Sequence, residues 1–125
     1  MISPFLSVAV GGALGATLRY SLGLWIVRMV GHGFPVAIIA VNVLGSFLMG
    51  VFVVAAAHKG LTWLSPFVMT GLLGGFTTFS AFSLEAVTLW ERGDVGQAAL
   101  YVSISVVFSI GALMLGVWMS RGMFA

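Results

Sequence analysis

Gly71-Leu72-Leu73-Gly74-Gly75-Phe76-Thr77-Thr78-Phe79-Ser80-Ala81-Phe82-Ser83 is the stretch whose reading decides the fold. Paired glycines followed by two β-branched threonines stand near the middle of a run that is uncharged from Leu61 to Glu85. Two glycines cost a helix about 2 kcal/mol of propensity relative to alanine. In lipid, irregular backbone survives only where it is buried in protein or lines a polar cavity. A helix broken here frees carbonyl oxygens, and the hydroxyls of Thr77, Thr78, Ser80 and Ser83 lie close enough to take up unpaired groups. The competing expectation is a continuous helix whose glycines serve packing and whose hydroxyls bond back to their own backbone.

Outward from this stretch the chain is apolar almost throughout. Of its 125 residues 61% are hydrophobic and 6% charged, too few charges for a water-facing globular surface. Four segments, at about 4–30, 35–57, 61–90 and 95–120, are each long enough to cross a bilayer, which takes about 20 apolar residues. The expected fold is an all-α integral membrane protein, one four-helix transmembrane domain over residues 1–125, with the third helix broken near its middle. Turn and charge signals separate the spans: Gly31-His32-Gly33-Phe34-Pro35, His58-Lys59-Gly60 and Glu91-Arg92-Gly93-Asp94. Such short connections make sequential helices antiparallel neighbours. Gly11/Gly15 and Gly71/Gly75 have the small-xxx-small spacing that lets backbones approach closely in lipid.

Several functions are disfavoured. There is no cysteine, so disulfides and thiolate chemistry are absent. The net charge of +2 rests on five scattered Lys and Arg, which does not imply nucleic acid. His32 and His58 fall in connections, and no glycine-rich turn leads into a Lys-Ser or Lys-Thr pair. An enzyme or an ATP-driven pump is not expected. The N-terminal stretch lacks a positive n-region, so it is expected to belong to the first span rather than to a signal peptide.

Orientation follows Lys and Arg near the span ends. Lys59 and Arg121 fall on one side, Arg28 and Arg92 on the other, and Arg19 lies inside the first span. A tie leaves either orientation open and permits an antiparallel dimer with its axis in the membrane plane; a fixed topology is the alternative.

The polar groups inside the spans are the candidate functional residues. Phe79 and Phe82, three apart, share a helix face, and an aromatic ring edge is electropositive. Asn42 carries two N–H donors, with Ser46 one turn later. Tyr101, Ser105 and Ser109 recur every four residues as a hydroxyl stripe. Arg19 is costly at mid-membrane and must face a polar interior, snorkel or pair; Glu85 is a possible partner. An interior rich in neutral donors and poor in carboxylates suits a small anion better than a metal ion or an organic cation.

Three segments in order carry a resemblance: Gly11-Gly12-Ala13-Leu14-Gly15-Ala16-Thr17-Leu18-Arg19-Tyr20, Asn42-Val43-Leu44-Gly45-Ser46-Phe47, and Gly71 to Ser80 of the stretch quoted first. Over its whole length the chain resembles the CrcB/Fluc family of fluoride channels. The resemblance implies an antiparallel, dual-topology homodimer with two fluoride pores at its interface, in the cell's inner (plasma) membrane, serving fluoride export and resistance. It implies that Phe79 and Phe82 turn ring edges toward fluoride, that Asn42 donates from its side chain, and that Tyr101, Ser105 and Ser109 form a polar track. Thr78 and Ser80 join this expected pore. Carbonyls of Gly74 and Thr77 from both subunits would hold a structural Na+ at the dimer centre. Arg19 would lie near a vestibule and Glu85 near a pore mouth. Ala81 departs from the family's usual threonine.

Two other classes fit parts of the sequence. A small multidrug exporter has the same length and span number, but it needs a mid-membrane carboxylate, and Glu85 lies late in its span. A membrane scaffold would account for the glycines and leave the polar positions unexplained.

Overall fold

The computed structural model describes residues 3–124. Pro4 opens α1 (Pro4–Val30), where its missing N–H is no loss, and the Ser3 hydroxyl accepts from the Phe5 amide at 3.2 Å. Gly31, at φ 85°, ends the helix in a conformation that side chains disfavour. The second helix, α2 (Val36–Lys59), stops at Gly60 in the left-handed conformation. The third span is in pieces. A 3-10 turn (Thr62–Leu64) precedes α3, a π-helical segment (Pro66–Leu73) that runs into one α-helical turn (Gly74–Phe76). After two extended residues comes α4 (Phe79–Glu91), and α5 (Val95–Phe124) completes the chain.

Among the described residues, four helical stretches are therefore long and apolar enough to cross a membrane, with the third interrupted. At 1.5 Å per residue the 27 residues of α1 span about 40 Å, more than the ~30 Å hydrocarbon core. The second and last helices outrun their expected ends, reaching Lys59 and Phe124. Trp25 and Trp90 lie toward one end of the bundle, Trp63 and Trp118 toward the other, all exposed. That is the placement of interfacial aromatic belts.

The two ends are tied by aromatic contacts that check the expected sidedness. His58 stacks on Phe124 at 5.3 Å and Lys59 Nζ sits 5.5 Å from that ring, so the second connection and the C-terminus share an end. At the other end Phe34 meets Tyr101 edge-on at 5.7 Å, beside a cluster of Phe82, Leu89 and Ala98.

Glycines set the helix spacing. A Cβ on Gly11 would lie 2.5 Å from the Phe67 carbonyl oxygen and 3.1 Å from Gly71 Cα; one on Gly75 would lie 2.8 Å from the Gly12 oxygen. The spacing of Gly11/Gly15 and Gly71/Gly75 thus does what it promised, locking α1 to α3 backbone to backbone. A second such contact joins α2 to α5, where Gly50 packs on the Leu113 carbonyl and Gly116 on the Phe47 carbonyl. It escaped sequence reasoning because neither Gly50 nor Gly116 has a second glycine four residues away.

Candidate functional site

The break in the third span falls at the threonines and not at the glycines. Gly74 has ordinary helical angles, φ −62° and ψ −38°. Thr77 (φ −87°, ψ 159°) and Thr78 (φ −151°, ψ 116°) are extended. The physical reason is that Gly71 and Gly75 are used for contact with α1, while β-branched residues give up helix most readily where another partner serves their backbone. That partner is Asn42. Its Oδ1 accepts the Thr78 amide at 2.7 Å, and its Nδ2 donates to the Thr78 carbonyl at 3.0 Å.

The remaining groups at the break divide into held and free. The Thr78 hydroxyl caps α4 by accepting from the Ala81 amide at 3.1 Å. Thr77 Oγ1 donates to the Leu73 carbonyl at 3.0 Å, and Ser83 Oγ to the Phe79 carbonyl at 2.9 Å. These two hydroxyls therefore bond back to their own helices. Arg19 Nε donates to the Gly75 carbonyl at 3.2 Å. Among the described residues, no donor reaches the carbonyls of Gly74 and Thr77.

A groove of about 480 Å³ runs along the break between α2, α4 and α5. Asn42 and Ser46 line it from α2, Thr77 and Thr78 from the break, Phe79 and Phe82 from α4, and Ser105 and Ser109 from α5. Met49, Ile110 and Leu113 make one stretch apolar. The rings of Phe79 and Phe82 lie 5.4 Å apart, tilted by 49°. Phe82 is buried and packs at 5.3 Å on Tyr101, whereas Phe79 is 77% exposed. No Asp, Glu, Lys or Arg lines the groove.

Two of the expected pore residues stand outside it. Tyr101 is fully buried behind Phe82, and its hydroxyl has no hydrogen-bond partner. Ser80 is exposed in the first turn of α4, away from the groove lining. Arg19 and Glu85 do not pair: among the described residues the one ion pair is Arg92–Asp94, at 3.5 Å. The Gly75 carbonyl, freed by the break, offers Arg19 a partner without the cost of burying a second charge. Gly45 and Met49 were not singled out from the sequence. Gly45 lies three residues beyond Asn42, on the face already marked by Asn42 and Ser46.

Among the described residues, Ser105 Oγ is the other buried side-chain polar atom without a partner, one turn from Tyr101 and on the groove wall. An unpaired buried hydroxyl costs about 1–3 kcal/mol, so two in successive turns call for water or a ligand.

Comparison with known proteins gives the family. The model of the CrcB-like, camphor resistance (CrcB) family matches residues 6–117. The chain belongs to the CrcB family. Its match to the CrcB model contains every groove residue, both free carbonyls and Arg19. Among relatives, the fluoride-specific ion channel FluC of Ruegeria sp. (strain TM1040) is 64% identical over 123 residues, 98% of each chain. A protein of the same name from Jannaschia sp. (strain CCS1) is 74% identical over 103 residues, 78% of this chain and 98% of that one. Another from Cereibacter sphaeroides (strain ATCC 17029 / ATH 2.4.9) is 58% identical over 125 residues, the full length of both.

Proposed function

We propose that this chain is the subunit of a fluoride-selective channel, a passive pore and not an enzyme. The observation that carries the proposal is the groove at the break: neutral hydroxyl and amide groups and two phenylalanine rings, with a buried Ser105 hydroxyl lacking any partner. Fluoride is small and holds its water tightly, so selective passage requires donors that replace that water. Hydroxyls and an amide N–H can donate, and ring edges add a weaker attraction. A lining without basic side chains avoids binding the anion too tightly to release it. The names of the full-length relatives point the same way.

The working unit is an antiparallel homodimer of dual topology, with two pores and a structural Na+ at its centre. Balanced basic residues at the two ends support two orientations. Phe79, 77% exposed beside the break, is placed to be completed by a second copy. The Gly74 and Thr77 carbonyls fit Na+ because both are hard oxygen ligands without a competing donor, Thr77 in the break itself and Gly74 in the last helical turn before it. Two oxygens from one chain are too few for such an ion, and a second copy doubles them. Na+ would supply positive charge against anion repulsion and would join the two broken helices. In the inner membrane, fluoride that enters a cell as HF and dissociates there would leave down its gradient, giving fluoride resistance.

The test is efflux from liposomes holding the purified protein, read with fluoride and chloride electrodes. Fast fluoride release, negligible chloride release, and loss of the former in Phe79→Ile or Phe82→Ile are expected. Silence toward fluoride from well-folded protein would refute the assignment.

A further inference from the structure

We propose that α2 moulds the break in the third span, with Asn42 and Gly45 as positioning residues for Phe79. This rests on the groove being the ion path, and it concerns what holds that path in shape. Asn42 clamps both polar atoms of one residue's backbone, taking the Thr78 N–H at 2.7 Å and serving the Thr78 carbonyl at 3.0 Å. A side-chain amide here substitutes for the neighbouring peptide that a helix or sheet would provide. It satisfies a donor that a continuous helix would send to Gly74. In a membrane interior the alternative is an unpaired N–H, which lipid does not accept.

One turn along the same face, Gly45 contributes by having no side chain. A Cβ there would strike Thr77 Cγ2 and come within 3.2 Å of the Phe76 ring. The two extended residues of the break are thus held from one helix, Thr78 by bonding and Thr77 by fit. Phe79 follows Thr78 directly, and within its own chain it is 77% exposed, with the Phe82 ring at 5.4 Å as its aromatic neighbour. The clamp therefore sets the backbone from which its ring is presented to that neighbour and to a second copy. One Nδ2 hydrogen of Asn42 remains for a ligand in the groove, so contact with an ion and positioning are separable roles.

The experiment places 4-fluorophenylalanine at position 79 of the full-length protein in lipid nanodiscs. The 19F spectrum is recorded without fluoride, alongside the Thr78 amide resonance. Parent protein should give one sharp 19F line. Asn42→Ala and Gly45→Ala should both broaden or split it and move the Thr78 amide, and both should reduce flux. Asn42→Asp, which keeps the acceptor for Thr78 N–H and loses the donor, should disturb the 19F line less than Asn42→Ala. Unchanged Phe79 and Thr78 signals in Asn42→Ala, with flux lost, would overturn the proposal and leave Asn42 as an ion donor alone. An unperturbed line in Gly45→Ala would overturn its half of the mould, and that variant serves where Asn42→Ala does not fold. Because the spectra need no transport, failure of the channel assignment itself would appear only in the flux of the parent protein.

Discussion

Replacing Gly15 by alanine adds one methyl group where two helices touch through backbone. Its Cβ would meet the Leu72 carbonyl oxygen and lie 2.9 Å from the Phe76 nitrogen and 3.0 Å from the Leu72 carbonyl carbon. All three are main-chain atoms that no rotamer change can move. Restoring ordinary contact with the Leu72 carbonyl oxygen requires α1 and α3 to part by roughly 1 Å or more. Overpacking of this kind costs about 1–3 kcal/mol. Arg19, one turn on, bonds the Gly75 carbonyl at 3.2 Å, so the same displacement carries that bond beyond useful length. A hydrogen bond to a charged group contributes about 1.5–3 kcal/mol, less where lipid headgroups or water can substitute. The expected loss is therefore about 2–5 kcal/mol. Gly23 on the same helix is the control. A Cβ there meets nothing within 4 Å, so Gly23→Ala should be neutral or more stable by up to about 1 kcal/mol. Equilibrium unfolding in mixed micelles, titrated with denaturing detergent, measures the difference. Equal midpoints for Gly15→Ala and Gly23→Ala would refute the backbone-contact account of α1 and α3.

Gly50→Ala should destabilise by about 1–3 kcal/mol, since its Cβ would meet the Leu113 carbonyl and lie 3.0 Å from the Val117 nitrogen; the same detergent titration reads it. Thr78→Val removes the cap on the Ala81 amide and should cost about 1 kcal/mol, with hydrogen exchange faster at Ala81 than at Leu89. Asp94→Ala, in contrast, should shift stability by less than about 1 kcal/mol, because the Arg92–Asp94 pair is about half exposed. Exchange of Na+ for N-methylglucamine should lower both dimer stability by size-exclusion chromatography and fluoride flux; stability indifferent to the cation would remove the Na+ assigned to the Gly74 and Thr77 carbonyls.

The local and the long-range parts of this structure separate cleanly. The four spans follow from lengths of apolar sequence, since lipid admits only backbone that satisfies itself. The turns follow from Gly31, Gly60 and the Arg92-Gly93-Asp94 corner, and the α1–α3 contact from glycines four apart. Two faces of the groove were also legible, because Asn42 with Ser46, and Ser105 with Ser109, recur at helical spacing along single helices. A broken third helix was legible too, but not the residue at which it breaks. Glycine propensity pointed to Gly74 and Gly75, whereas the break lies at Thr77 and Thr78. Asn42 decides that, from 36 residues away. Arg19 likewise could face a polar interior, snorkel or pair with Glu85, and only the packing of α1 on α3 brought it to the Gly75 carbonyl. Tyr101 fell behind Phe82 because a periodic stripe specifies a helix face without specifying what stands in front of it. Composition and periodicity determined which segments lie in the membrane and which faces can meet. Where a backbone gives up its helix depends on the donors and acceptors that other helices bring to it, and those exist only once the bundle has assembled.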